Sequence, residues 1–377
     1  MVGFHSTPAL SYTFPLHEDM IPHVQLTETE IKAYRQLADE VVVNTLECEI
    51  EFRYQDRERL DPHHWKFVKS KERMSVYKRI TPSEVLVPMV LGVGFIEGTV
   101  ENVLYGLHHK TTEEMRTTTS FINKSILDTA VLANFDTGTD EDPFRYLGLK
   151  WRVAETPGGS LIKNRDVCNL ECMGTAVDSQ GIRYGFQMLK SVDVPGFPHF
   201  PESIVIRAQM MLCCIFRQIT SNVVAFYAKG VFNLCGDLAE FMAYNTSADM
   251  VLSIAKSVDC AAAKRLTMMV LQNEVPIKTV GDRHAHSNLV KSEKDKFKHA
   301  TCALCAKKPS MLSSSCRPCK ICMVPVCSKC FIKRQVLAKP QNIRIVCCKS
   351  CVMKAREFAM DPRQPYPLIS LQEDYAI

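Results

Sequence analysis

Cys302-Ala303-Leu304-Cys305, Cys319-Lys320-Ile321-Cys322, Cys327-Ser328-Lys329-Cys330 and Cys348-Lys349-Ser350-Cys351 set four Cys-x-x-Cys pairs within fifty residues, separated by 13, 4 and 17 residues. A two-residue gap lets both thiolates of a tight turn reach one tetrahedral zinc at ~2.3 Å, so each pair is half of a site and eight ligands make two sites. The four-residue gap is too short for the second and third pairs to share an ion comfortably. An alternating arrangement follows: Cys302, Cys305, Cys327 and Cys330 hold one zinc, and Cys319, Cys322, Cys348 and Cys351 the other. Cys316 and Cys347 are left over; Cys316 is an alternative to Cys322 as the partner of Cys319, and Cys347 would shift the last pair by one and lose its two-residue gap. Apolar positions are few here, so zinc binding, worth on the order of 10 kcal/mol per structural site, must drive folding. The expected role of the metal is structural rather than catalytic.

Outside this segment the composition is that of a globular chain. With 377 residues, 46% of them apolar, it is long enough for a sizeable core and is expected to form two units of different size. The net charge is only +5, but residues 290–360 carry 16 Lys and Arg against 3 Asp and Glu, which leaves the remainder acidic. A basic patch of this kind attracts phosphate, on a lipid headgroup or a nucleic acid. Ten of the 17 cysteines fall in the one window, and clustering in pairs reads as metal rather than disulfide. The first twenty residues lack a basic stretch followed by an apolar core, and Val2 excludes myristoylation, so a reducing, cytoplasmic setting is expected. The longest uncharged apolar run, Val85 to Ile96, is 12 residues, short of the ~20 needed to cross a bilayer. Membrane contact is therefore expected to be peripheral.

Working toward the N-terminus, residues 1–24 show no period and are expected to be a flexible tail. Thr27-Glu28-Thr29-Glu30 forms a capping box before a helix carrying Ile31, Tyr34, Ala38, Val41 and Val42. From Trp65 the period becomes two, predicting a hairpin about Lys71 to Arg73. Gly92-Val93-Gly94-Phe95-Ile96-Glu97-Gly98 approaches a dinucleotide-binding loop but places the third glycine one residue late with no parallel βαβ unit around it, and is read as a turn. Thr99 to His108 returns to helical spacing. Strand-like runs follow at Leu147–Val153, Tyr184–Met188, Ile204–Phe216 and Val223–Tyr227, and Leu238 to Val258 closes the region as an amphipathic helix with Leu238, Phe241, Met242, Leu252 and Ala255 on one stripe.

A curved antiparallel sheet with a long helix across it is an α+β plan that encloses an apolar cavity. Residues 25–258 resemble the START lipid-transfer domain in this order, in the Trp65-Lys66 strand opening, the Arg165-Asp166 pair and Gly236 before the last helix. The resemblance implies a helix-grip fold and a lipid ligand in its cavity, without naming the lipid. Taken alone, an Arg-Asp pair in a strand is more often a satisfied ion pair than a ligand anchor. Residues 259–297 read as a tethering connector that starts helical and ends polar.

Residues 298–355 resemble the FYVE finger, a cross-brace, two-zinc module that docks on endosomal membranes by recognising phosphatidylinositol 3-phosphate. Three signatures of that family are altered here: the approach to the first pair is Phe297-Lys298-His299-Ala300 instead of Trp-x-x-Asp; Ser315-Cys316-Arg317-Pro318-Cys319 replaces the basic run ending His-His-Cys; and Val346-Cys347-Cys348 replaces Arg-Val-Cys. The residues replaced supply charge-assisted hydrogen bonds of ~1.5–3 kcal/mol each, so the headgroup pocket is expected to be degenerate. What the resemblance leaves is Met311 and Leu312 at the membrane-inserting loop, with Lys307, Lys308, Lys333, Arg334 and also Lys339 as basic neighbours. These fit weak adsorption to an acidic membrane, peripheral on endosomes, or equally a solvated face beside a protein partner. Residues 356–377 are read as a C-terminal tail.

No nucleophile elbow, P-loop or paired-carboxylate signature is present, and the doublets His63-His64 and His108-His109 lack metal-ligand spacing, so no enzyme activity is expected. A RING finger of a ubiquitin ligase also alternates its ligands, but it carries a central His and two or three residues between its fourth and fifth ligands, where this chain has four and no His. Ligase activity or a protein-interaction scaffold are the alternatives. Nucleic-acid binding is disfavoured because Phe297, Phe331 and Phe358 are too scattered to form a stacking platform.

Overall fold

The computed structural model describes residues 13–22, 24–80, 88–159, 162–194, 196–197, 200–272, 297, 300–308, 316–366 and 368–370. The chain divides into two compact units, residues 1–100 with 110–255, and residues 101–109 with 256–377.

The first unit opens with α1 (Glu28–Ile50), started by the expected capping box: the Glu30 amide donates to Thr27 Oγ1 at 3.3 Å and the Thr27 amide to the Glu30 carboxylate at 2.7 Å. There follow in chain order β1 (Trp65–Lys71), β2 (Met74–Arg79), β3 (Met89–Glu97), α2 (Val100–Leu107), which from residue 101 belongs to the second unit, α3 (Thr112–Ile122), β4 (Ile126–Asp136), β5 (Tyr146–Ala154), β6 (Asn164–Val177), β7 (Arg183–Ser191), β8 (Val205–Arg207), β9 (Gln209–Thr220), β10 (Val223–Asn233) and α4 (Glu240–Ser253). The main path of the sheet runs β1-β2-β3-β10-β9-β7-β6-β5-β4, antiparallel at every step, with β8 parallel to β6. This is the α+β plan expected from the sequence, an antiparallel sheet with a helix packed across one face.

Side-chain alternation gives the sheet two different faces. Leu91, Leu149, Trp151, Val153, Leu170, Ile215 and Tyr227 share a core with Ala38 and Val42 of α1. Trp151 is fully buried there, its ring 6.0, 5.6 and 5.7 Å from those of Phe14, Phe197 and Phe200. The opposite face carries α4, which packs on β1, β2, β3 and β10. A Cβ on Gly92 would stand 2.6 Å from Val251 Cγ1, so the missing side chain lets α4 cross β3 closely.

Several expectations need correction. The glycine-rich run read as a turn is the strand β3; Gly94, at φ +144°, lets the strand pass the Arg73 carbonyl, a place with no room for a side chain. The run Ile204–Phe216 is two strands, and the last helix begins at Glu240, not Leu238. Phe241 lies outside the buried stripe, 68% exposed. The N-terminal segment is not a loose tail over its described part: Leu16 is buried and its amide donates to Asp128 at 2.6 Å.

In the second unit, α5 (Ser257–Gln272) precedes β11 (Arg317–Pro318), β12 (Pro325–Val326), β13 (Phe331–Val336), β14 (Ala338–Lys339), β15 (Ile343–Cys348), α6 (Lys349–Glu357) and β16 (Ile369–Ser370). β13 pairs with β15 antiparallel and β14 with β16 in parallel. Leu266 and Val270 of α5 share a core with Ile321, Val326, Val336, Ile345 and Ile369. The helical start of the connector is thus packed instead of tethering, and the C-terminal segment supplies a strand; residues 273–296 of the connector lie outside the described residues.

Two outcomes test this packing. Gly92→Val should destabilise the first unit by ~1–3 kcal/mol through overpacking, and Val251→Ala in the same chain should recover most of the loss in urea unfolding. Burial pushes the thiols of Cys168, Cys172 and Cys213 up to about 12 and that of Cys214 up as well. The folded state therefore keeps protons that the unfolded chain releases near pH 9, and the contribution of these thiols to stability should fall as pH rises from about 9 toward 12. Replacing Cys213 and Cys214 by Ala should flatten that loss in denaturation midpoints measured across the range.

Candidate metal centres and a buried polar face

The first three Cys-x-x-Cys pairs sit in turns and the fourth opens a helix. The first two share a local geometry: Ala306 and Met323, the residues after the second cysteine, are left-handed at φ +55° and +58°, and their amides return to the carbonyls of Cys302 and Cys319 at 2.8 and 2.9 Å. The third pair lies between β12 and β13, and the fourth spans the end of β15 and the first turn of α6. Pairing of β13 with β15 sets Phe331 opposite Cys348, which fixes the third and fourth turns side by side.

These turns bring the sulfurs into two groups, Cys302, Cys305, Cys327 and Cys330, and Cys319, Cys322, Cys348 and Cys351, each with all four atoms within 4.8 Å of one another. The grouping is the alternating, cross-brace one. Amides aim at the sulfurs: Cys327 N–H at Cys302 Sγ (3.4 Å), Cys348 N–H at Cys319 Sγ (3.2 Å) and Cys351 N–H at Cys348 Sγ (3.2 Å). Burial disfavours charge on Cys302, yet the amides of Cys327, Leu304 and Cys305 outweigh it and bring its thiol down to about 6. Burial and neighbouring sulfurs hold the Cys330 proton up to about 12. Four soft donors converging with part of their charge stabilised fit a tetrahedral zinc, whose own charge removes the remaining protons. The two clusters are consistent with two zinc ions as structural cofactors. Cys316 and Cys347 are buried beside the clusters and belong to neither.

The residues expected at a membrane behave differently. Lys307, Lys308, Lys333 and Arg334 are exposed, while Met311 and Leu312 lie outside the described residues. The Arg165-Asp166 pair is satisfied internally: Arg165 donates to the carbonyls of Lys163, Leu234 (3.2 Å) and Cys235 (3.0 Å), bracing the turn at Gly236, and Asp166 accepts from Trp151 Nε1 at 2.8 Å and Arg207 Nε at 2.9 Å.

A group that sequence reading missed lies on the α4 face of the sheet. Lys150 and Arg152 alternate with the apolar Leu149, Trp151 and Val153, and across the ladder stand Asn169 and Glu171. The Lys150 ammonium lies 3.2 Å from Glu171 and 4.0 Å from the centre of the Tyr146 ring, and Gln187 donates to Glu171 at 3.0 Å. Burial brings the Lys150 ammonium down to about 8 even though Glu171 opposes the shift. Buried Arg152 Nε, Asn169 Nδ2 and Thr129 Oγ1 find no hydrogen-bond partner. The alternation Leu147, Leu149, Trp151 and Val153 implied that intervening residues share the opposite face; only the register reveals that Glu171 joins them there. A separate groove of ≈ 300 Å³ opens at the strand ends between Cys168, Lys190, Arg207, Gln209 and Asn233.

Removing the metal should unfold the finger. In the full chain, a strong zinc chelator should abolish amide protection in residues 316–356, and lowering pH toward 5 should ease zinc release because each liberated thiolate takes up a proton. Cys319→Ser should reduce the zinc count by one in native mass spectrometry, whereas Cys316→Ser should leave two.

No family model matches the chain, and no curated protein is matched by it. Among solved structures it is similar to human STARD10 (14% identity, 59% of this chain and 83% of that one, TM-score 0.42). It is also similar to human StAR-related lipid transfer protein 5 (17%, 60% and 97%, 0.42) and to the lipid transfer and protein localization domain of human StarD13 (11%, 55% and 92%, 0.40).

Proposed function

We propose that this chain is a non-enzymatic lipid-binding adaptor, in which the START-like unit holds one mostly apolar ligand and the finger docks the molecule on an acidic membrane. The observation that carries the first half is the polar group on the α4 face. Buried polar groups on a face built only to pack are paired, since an unpaired buried donor costs about 1–3 kcal/mol. Arg152 Nε and Asn169 Nδ2 are such donors, set beside the Lys150–Glu171 pair. A ligand oxygen, from a hydroxyl or carbonyl, supplies what they lack, and its apolar body would lie toward Phe216, Phe226 and Phe232, all fully buried.

The second half rests on charge. Residues 301–357 carry 12 Lys and Arg against the single Glu357. Two tetrathiolate zinc centres withdraw four units of charge, which leaves about +7 on the finger. Lysines near an anionic leaflet contribute ~1 kcal/mol each, enough for reversible, salt-sensitive adsorption. With the replaced signatures at residues 315–319 and 346–348, this adsorption is not selective for phosphatidylinositol 3-phosphate. A cytoplasmic location, peripheral on endosomal or other acidic membranes, fits this reading; no helix among the described residues is long and apolar enough to cross a bilayer.

Native mass spectrometry of the full chain after exposure to a mixed-lipid extract should show two zincs and one lipid-sized adduct. Lys150→Met with Asn169→Leu should lose the adduct and keep both zincs; retention of the adduct would move the site elsewhere. Sedimentation with phosphatidylserine vesicles should fall steeply between low and high salt and drop further in a Lys333→Ala, Arg334→Ala variant. Binding that ignores both salt and these residues would assign the basic face to a protein partner.

A further inference from the structure

The body of α2, residues 101–109, lies in sequence between two elements of the sheet unit, yet it belongs to the compact unit that holds the finger. Two contacts within that unit tie it to α5. Gly106 lets the backbones approach so closely that a Cβ there would collide with the Ser257 carbonyl oxygen. Lys264 is fully buried, and its ammonium donates to the carbonyls of Tyr105 at 2.7 Å and His108 at 2.6 Å, at the C-terminal end of α2. The carbonyl end of α2 carries the negative end of its dipole, so a cation there both caps and stabilises it. The ammonium is enclosed by the rings of Tyr105 and Tyr366, with centroids at 4.9 and 4.1 Å.

The next residues of the same helical turn face the finger. Arg265 Nε donates to the Phe358 carbonyl at 3.1 Å, Leu266 enters the core that contains Cys319, Cys347, Cys348 and Cys351, and Thr267 Oγ1 accepts from the Leu337 amide at 2.9 Å. One turn of α5 therefore grips α2 through Lys264 and the finger through Arg265, Leu266 and Thr267. The finger in turn has too little apolar content to keep its shape without metal.

We propose that zinc binding by the finger controls the order of α2: the metal centres hold the finger core, the core holds α5, and Lys264 of α5 holds the carbonyl end of α2. The other end is anchored in the sheet unit, where the Val100 amide donates to Gln218 Oε1 at 2.9 Å. Loss of metal then frees the C-terminal half of a helix whose start stays fixed, and the state of the finger is transmitted into the middle of the START-like sequence. This inference goes beyond lipid binding and does not depend on it.

Hydrogen exchange of the full chain tests the chain of contacts. Chelation of zinc should accelerate exchange in residues 101–109 and 257–272 roughly ten-fold or more, while residues 209–233 of β9 and β10 keep their protection. Unchanged exchange in 101–109 while 316–356 lose protection would overturn the proposal. If chelation opens β9 and β10 as well, two variants with both zincs retained by native mass decide it. Lys264→Met and Gly106→Ala should each accelerate exchange in 101–109 in the metal-bound protein; exchange at the unmodified rate in both would refute the link.

Discussion

Four sulfurs within 4.8 Å of one another repel as thiolates and hold their protons only by weak sulfur–sulfur hydrogen bonds as thiols, and the finger contains two such groups in about fifty residues. A divalent metal removes this conflict by taking all four lone pairs at once. Everything near the clusters follows from that need: the left-handed residues after the first two pairs, the amides aimed at sulfur, and the short strands that carry one turn against another. The excess of lysine and arginine is part of the same account, since two tetrathiolate centres are anionic and the surrounding chain must tolerate them. More positive charge is present than the clusters require, and that surplus gives the finger an electrostatic surface.

The sheet unit solves a different problem. Ten strands expose two broad faces, and the chain covers them with different partners. α1 lies on a core centred on Trp151, to which the N-terminal segment adds Phe14 and Leu16, and the charges buried with it are paired, Arg217 with Glu49 at 2.9 Å and Arg207 with Asp166 at 2.8 Å. α4 lies on a face that is apolar near β3 and β10 and charged near β5 and β6. Such a mixture is expensive in a dry core. The donors Arg152 Nε and Asn169 Nδ2, left unpaired there, underlie the ligand proposed for this face.

Much of what looked like linker is packed. Residues 257–272 carry Leu266 and Val270 into the finger core, Ile369 is buried there too, and Tyr366 covers the Lys264 ammonium. The finger is small and polar, and the extra helix and strand give its few apolar side chains something to rest on. Its natural boundary is accordingly wider than the cysteine pattern.

The sequence by itself determined the local features: the eight ligands and their alternating partition, because the gaps between pairs limit which turns can meet, and the first helix, the hairpin and the closing helix, because capping residues and periodicity act over a few positions. It also carried the α+β plan through element order. Tertiary structure alone decided which glycines are turns and which are crossings: Gly92 and Gly94 look alike in sequence, and only the approach of Val251 and of the Arg73 carbonyl shows that they lie in a strand. It alone placed Lys150 against Glu171, since residues twenty-one apart meet only through strand register. It alone gave α2 to the finger, through one buried lysine whose partners lie more than 150 residues away. Contacts of that span depend on how distant segments pack, and nothing in the local pattern of either segment encodes them.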